Sequence, residues 1–301
     1  MSDYISLADF ARGFTEGRPE RPPWLPPGAA APLALDNAAA RARLEDVLDT
    51  VVALQRADWL EDGVFVGPNV MPEVYGHVLH AARTLSVAVP PAIVAGTTMS
   101  GQGIYGTDAR HYLRLSTYFV GPASDGETRF LVGRFLGLSA ASLVTANTTY
   151  ALLVDHMGLR SMARKALGPL LEVVLAPLSV GVRLATSRWH RFAEVAADRA
   201  GLLCADDLHA AGKAMMRVSL GGDRNVDPQA WLDQLEAVRS EDSPARFAQL
   251  LADKPWTHKR LRALGLFARS QPFADAGGTT SGPLLGSDEL EAQVRELMGV
   301  R

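Results

Sequence analysis

Glu194 and Asp198 stand four residues apart in the run Arg188 to Leu203, RWHRFAEVAADRAGLL, whose other positions are largely apolar. On a helix, positions i and i+4 share a face, so the two carboxylates project together. A helix that is apolar nearly all round is a buried one, and a buried acidic pair calls for a cation. His190 lies one turn before Glu194, which makes His190, Glu194 and Asp198 a candidate metal face. Metal sites ordinarily gather three or four ligands, and no second helix clearly offers another.

The elements that must hold this face are mostly helical. Asp36 or Asn37 caps a helix with Leu44, Val47, Leu48, Val51 and Leu54 at helical spacing, closed by Gly63. A second helix starts near Pro72, a residue suited to the first turn, and carries Val74, Val78, Leu79, Ala82 and Leu85 on one side. After Pro90 and Pro91, the runs AIVAG and HYLRLSTYFVG alternate like strands, separated by the glycine-rich GTTMSGQGIYGTD, which reads as a mobile loop. Ser124 and Glu127 form a capping-box pattern, and helices are expected at 127–153, 158–184 and 187–204. Later helix starts are marked by Asp227-Pro228, Ser243-Pro244, Thr257 and Ser287. The expected fold class is therefore mainly α with a small β-sheet (α+β). Residues 1–35 form an extended proline-rich arm that Trp24 and Leu25 could anchor, and 36–301 form a single domain.

A hydrophobic content of 48% over 301 residues supports a large core, and a net charge of -3 without a basic run argues against a nucleic-acid surface. Cys204 is the only cysteine, which excludes an intramolecular disulfide and a thiolate metal cluster. The N-terminal stretch MSDYISLADFARGF has neither the basic start nor the apolar centre of a secretion signal, so a cytoplasmic location is expected. Residues 135–154 carry no charge and 166–182 are strongly apolar. Their hydroxyl and amide side chains, with Glu172, Pro169 and Pro177, favour buried core helices over membrane spans, leaving membrane association as the lesser alternative.

The run RFAEVAADRAGLL resembles the third-ligand helix of the HtpX-like zinc metallopeptidases, a gluzincin family with the pattern Glu-x-x-Ala-Asp there. The resemblance gives Glu194 the role of third zinc ligand and Asp198 that of a supporting group beside it. DKPWTHKRLRALGLFA is similar to a downstream helix of that family that packs beneath the site, with Pro255 and Arg260 carrying the likeness. The strand pair and the helix after Ser124 stand in the order expected of that family, so the resemblance covers residues 70 to 272 and implies a gluzincin-like fold. It also implies an H-E-x-x-H motif after Ser124, where two imidazoles bind zinc and the glutamate takes a proton from metal-bound water. This chain has VGRFLGLSAA there, placing Arg134 and Leu138 at the two histidine positions and Phe135 at the glutamate; no other H-E-x-x-H occurs.

A lone carboxylate holds zinc poorly, so no cofactor is expected, and the cation facing Glu194 is expected to be Arg134, whose forked guanidinium suits a carboxylate. The function the resemblance implies is that of an inactive peptidase homologue that binds a protein or peptide partner or assembles with itself. The family's strand addition of substrate suggests RLSTYFV as a place for an extended peptide. The alternative is a divergent zinc hydrolase with a metal site rebuilt around His190 and Glu194. Three further groups read as structural: His77 with His80 at i and i+3, His111 in a strand-like run, and Cys204, for which a pairing with His209 is conceivable.

Overall fold

A computed structural model describes residues 22–29, 38–96, 101–154, 159–169, 171, 180–221, 226–238 and 257–299 of the chain. The helices are α1 (Ala38–Glu61), α2 (Pro72–Thr84), the one-turn α3 (Thr117–Val120), α4 (Asp125–Ala140), α5 (Val144–Leu153), α6 (Leu159–Leu167), α7 (Val180–Ala205), α8 (Leu208–Leu220), α9 (Pro228–Val238), α10 (Thr257–Phe267), the short α11 (Gln271–Asp275) and α12 (Ser287–Leu297). Strands β1 (Gly63–Phe65), β2 (Ala92–Ala95), β3 (Gly103–Gly106) and β4 (His111–Leu115) form one sheet in the order β1-β2-β4-β3. The architecture is mainly helical with a small mixed sheet, as composition and periodicity predicted.

Period-2 alternation gives the sheet two apolar faces. Ala92, Val94, Ile104, Leu113 and Leu115 belong to the core shared with α2, α4 and α7. Ile93, Ala95 and Tyr105 join a second core formed with Leu44, Val47, Leu48 and Val51 of α1 and with α5. The sheet is thus a thin layer between two helical ones.

Several expectations need correction. Gly63 does not end α1 but begins β1, an antiparallel partner of β2. The glycine-rich stretch contributes β3, antiparallel to β4, so only part of it is loop. In HYLRLSTYFVG the strand stops at Leu115, because the Ser116 hydroxyl accepts from the Tyr118 amide and starts α3. Since β4 lies between β2 and β3, RLSTYFV offers no free edge. Ser124 and Glu127 do make the reciprocal cap of α4, but the predicted helix 127–153 is two helices bent by 104°. Ser142 takes a left-handed conformation at φ 54°. From the β3–β4 turn, the Asp108 carboxylate accepts from the Val144 amide at 2.8 Å and from the Thr145 hydroxyl at 2.7 Å, capping α5 separately. No single described helix is long and apolar enough to cross a membrane; α4 and α5 reach that only together and across the bend. The expected boundary between 184 and 187 is also absent, as α7 runs unbroken from Val180.

Trp24 and Leu25 are buried against this body, and the Trp189 indole donates to the Ala29 carbonyl at 2.9 Å. Pro27–Ala29 form a 3-10 turn where an extended course was expected, and residues 1–21 and 30–35 of the expected arm lie outside the described residues. Asp36, Asn37, Ser243-Pro244 and Pro255 lie outside the described residues.

The site is positioned by the contact of α4 with α7, which small residues make close. A Cβ on Gly137 would lie 2.3 Å from Ala200 Cβ, and one on Gly133 would lie 2.5 Å from the Cys204 side chain. Gly137→Ala brings about 1 kcal/mol of helix propensity, but it forces the helices apart. A net loss of roughly 1–2 kcal/mol is expected in urea unfolding. Gly265→Ala on α10, where nothing lies within 4 Å, is the control and should gain stability. Equal gains for both would mean that α4 and α7 can separate at no cost.

Candidate functional site

Every side chain of α7 from Trp189 to Cys204 is buried, so its polar groups must find partners within the fold. Glu194 is 9% exposed and Asp198 2%. Asp198 Oδ1 accepts from Arg134 Nε at 2.8 Å and from Arg260 Nη2 at 2.6 Å, and its Oδ2 accepts from Arg260 Nε at 2.8 Å. Glu194 Oε2 accepts from Arg134 Nη2 and faces Arg260 Nη1 at 3.1 Å. The cation facing Glu194 is therefore Arg134, joined by Arg260 from α10. Each arginine touches both carboxylates, and two positive charges balance two negative ones.

Two arginines are needed because one would leave a buried negative charge uncompensated. Burial by itself would lower the pKa of Arg260, but Asp198 and then Glu194 outweigh it and hold the guanidinium above its ordinary value. The sequence named Arg260 only as part of a packing helix. Its second role had no local signal, since it depends on α10 meeting α7 from more than sixty positions away.

Arg134, Phe135, Leu138 and Glu194 line one cavity of about 400 Å³, together with His190 and residues of β3. The His190 ring stacks on Tyr150 at 4.0 Å, and its Nε2 lies 3.7 Å from Glu194 Oε1. The candidate metal face of His190, Glu194 and Asp198 does not converge: both Asp198 oxygens are turned to guanidinium donors. Among the described residues no group of three or more histidine, cysteine or acidic side chains is arranged to hold a metal. Zinc does not fit these residues, since Arg134, Phe135 and Leu138 supply no ligand atom and both Asp198 oxygens and Glu194 Oε2 already face arginine nitrogens.

The remaining candidates are dispersed. His77 Nε2 lies 3.5 Å from Asp125, while His80 Nε2 donates to the Cys204 carbonyl at 2.9 Å, so they do not act as a pair. Burial lowers the His77 pKa, with Asp125 opposing. Cys204 is buried, which raises its thiol pKa, and His209 is exposed at the start of α8, so no thiol–imidazole pair forms. His111 Nδ1 donates to the Thr107 carbonyl at 3.0 Å, which leaves Nε2 to accept from the Ser139 hydroxyl at 3.0 Å. Burial lowers the His111 pKa, keeping the ring neutral for this role of tying β4 to the end of α4. Sequence reading gave no sign of the Ser139 contact, because the two residues lie 28 positions apart on different elements.

Compared with protein-family models, with curated proteins and with solved structures, the chain matches none.

Proposed function

We propose that this chain is a catalytically inactive relative of the HtpX-like peptidases, keeping a gluzincin-like scaffold to bind a protein or peptide partner or to assemble with itself. One observation carries the reading. The three positions where the resemblance would put His, Glu and His, namely Arg134, Phe135 and Leu138, line the same cavity as Glu194, which would be the third ligand. Asp198 stands one turn behind Glu194 and bonds to Arg134, where a supporting carboxylate would be needed. With an arginine in the place of a ligand and a phenylalanine in the place of the base, the groups that activate water in such a peptidase are replaced.

The test is to restore the motif. The triple variant Arg134→His, Phe135→Glu and Leu138→His should carry about one zinc per chain by elemental analysis, a tetrahedral site with Glu194 completing three protein ligands. Addition of Glu194→Ala should remove that zinc. A folded triple variant without zinc would overturn the family reading. Stoichiometric zinc in the unaltered protein, lost on Glu194→Ala, would instead favour a rebuilt metal site.

A further inference from the structure

Serine and threonine hydroxyls inside helices often turn back to the carbonyl four residues earlier. Thr149 of α5 does so, donating to the Thr145 carbonyl at 2.7 Å. Ser139, in the last turn of α4, does not: the bond its hydroxyl makes among the described residues goes to His111 Nε2 at 3.0 Å. The two residues come from different elements and meet where β4 begins and α4 ends. Both are partly exposed, unlike the buried Cys204, so a small molecule in solution can approach them.

The imidazole is set up as a base. Its Nδ1 hydrogen is held by the Thr107 carbonyl at 3.0 Å, which fixes the tautomer that turns a bare Nε2 toward Ser139. That carbonyl belongs to a tight turn and also accepts from the Arg110 amide at 3.1 Å. Burial keeps the ring neutral, while the Thr107 carbonyl and Asp108 favour the imidazolium that proton transfer would create. Asp108 is fixed in place, because its oxygens hold the Val144 amide and the Thr145 hydroxyl. The end of α4 presents the negative side of its dipole, which favours a cation there as well. Nucleophile, base and orienting group are thus joined in one chain of hydrogen bonds.

The surroundings limit what this serine can attack. The next backbone amides along the chain are taken: Ala141, Ser142 and Leu143 donate back to the Gly137, Ser139 and Leu138 carbonyls. The last turn of a helix presents carbonyls instead, and carbonyls do not stabilise an oxyanion. A peptide or a plain ester, whose leaving group is poor, therefore stays intact. An acyl carbon that carries a thiolate or phenolate leaving group needs far less of that help.

We propose that Ser139 is an acylation site, taking an acyl group from an activated ester or thioester with His111 as its general base. The bond from Oγ to the acyl carbon forms, and the bond to the leaving oxygen or sulfur breaks, its electron pair going to that atom. The hydroxyl proton passes to His111 Nε2 and on to the leaving group. Attack by water would face the same want of oxyanion donors and a poorer leaving group, the serine oxygen, so the acyl group stays on Ser139. This reactivity lies outside the cavity beside Glu194 and does not depend on the family reading.

The probe is p-nitrophenyl acetate, added to the full chain near neutral pH, with adducts located by peptide mass spectrometry. About one acetyl group per chain should sit on Ser139. His111→Gln offers an oxygen that can still accept from Ser139 but cannot take its proton. It should slow acetylation of Ser139 by about 100-fold or more, the usual contribution of a general base, with urea unfolding reporting that the variant is folded. In the unaltered chain the rate at Ser139 should be level at neutral pH and fall as the medium is acidified through the His111 pKa, which lies below the ordinary imidazole value. Of the charges beside the ring, Asp108 acts on it and Arg110 is turned to Asp49 at 3.3 Å. This profile decides the matter if His111→Gln does not fold. An unmodified Ser139, an equal rate in folded His111→Gln, or a rate that climbs steadily with pH and never levels would overturn the assignment.

Discussion

Arg260→Met should lower the stability of the chain by roughly 3–5 kcal/mol in urea unfolding, the cost of removing one partner from a buried ion network. The variant leaves one guanidinium to face two carboxylates. Asp198, only 2% exposed, would lose its Nε and Nη2 donors from Arg260 and keep a single bond from Arg134 Nε. The thioether fills much of the vacated volume, so packing loss is a minor part of the effect. Adding Asp198→Leu returns the remaining groups to one positive and one negative charge and should recover most of the loss, since apolar replacement of a buried pair is often near neutral. A cost below about 1 kcal/mol for Arg260→Met would be the value of an exposed pair and would show that water reaches the quartet.

The quartet also marks how far local pattern can carry an argument about this chain. Signals confined to one turn were legible: the Ser124–Glu127 cap, the helix starts at Pro72, Pro228 and Ser287, and the shared face of Glu194 and Asp198 all have causes within four residues. The bend after Ala140 was not legible, because Asp108, which caps α5, comes from a turn 36 residues earlier. Strand β3 was hidden by its glycines, which favour loops unless, as here, a neighbouring strand and Thr148 hold the backbone extended. Arg134 could be matched to Glu194 because a buried carboxylate demands a cation and the resemblance supplied a position. Nothing in the sequence gave the stoichiometry, which follows from Asp198 being buried as well and from α10 crossing α7 at that point. The spacing of Gly133 and Gly137 on α4 against Ala197 and Gly201 on α7 was an available sign of close helix approach.

The opposite side of α7 supports a second large effect. Arg199, one position past Asp198, is 1% exposed and joins three parts of the chain: its Nη1 donates to Glu291 of α12 at 2.7 Å and to the Trp24 carbonyl at 3.3 Å, and its guanidinium lies 5.0 Å from the Phe267 ring centre at the end of α10. Burial lowers its pKa, with Glu291 opposing, and its Nε and Nη2 have no hydrogen-bond partner among the described residues. Arg199→Ala should therefore cost roughly 3–5 kcal/mol, because it opens a cavity the size of a large side chain and leaves Glu291 without its cation. Arg199→Met with Glu291→Leu should fall within about 1 kcal/mol of the parent, since unpartnered guanidinium donors are expensive and apolar replacement removes that cost. Both variants are read by urea unfolding, with tryptophan emission reporting whether Trp24 and Trp189 stay buried. Should the double replacement lose as much as Arg199→Ala, the charge itself would be what holds the arm and α12 to α7. If it does not, packing clamps the back of α7 while charge balance fixes its front, and the cavity beside Glu194 is held from both sides.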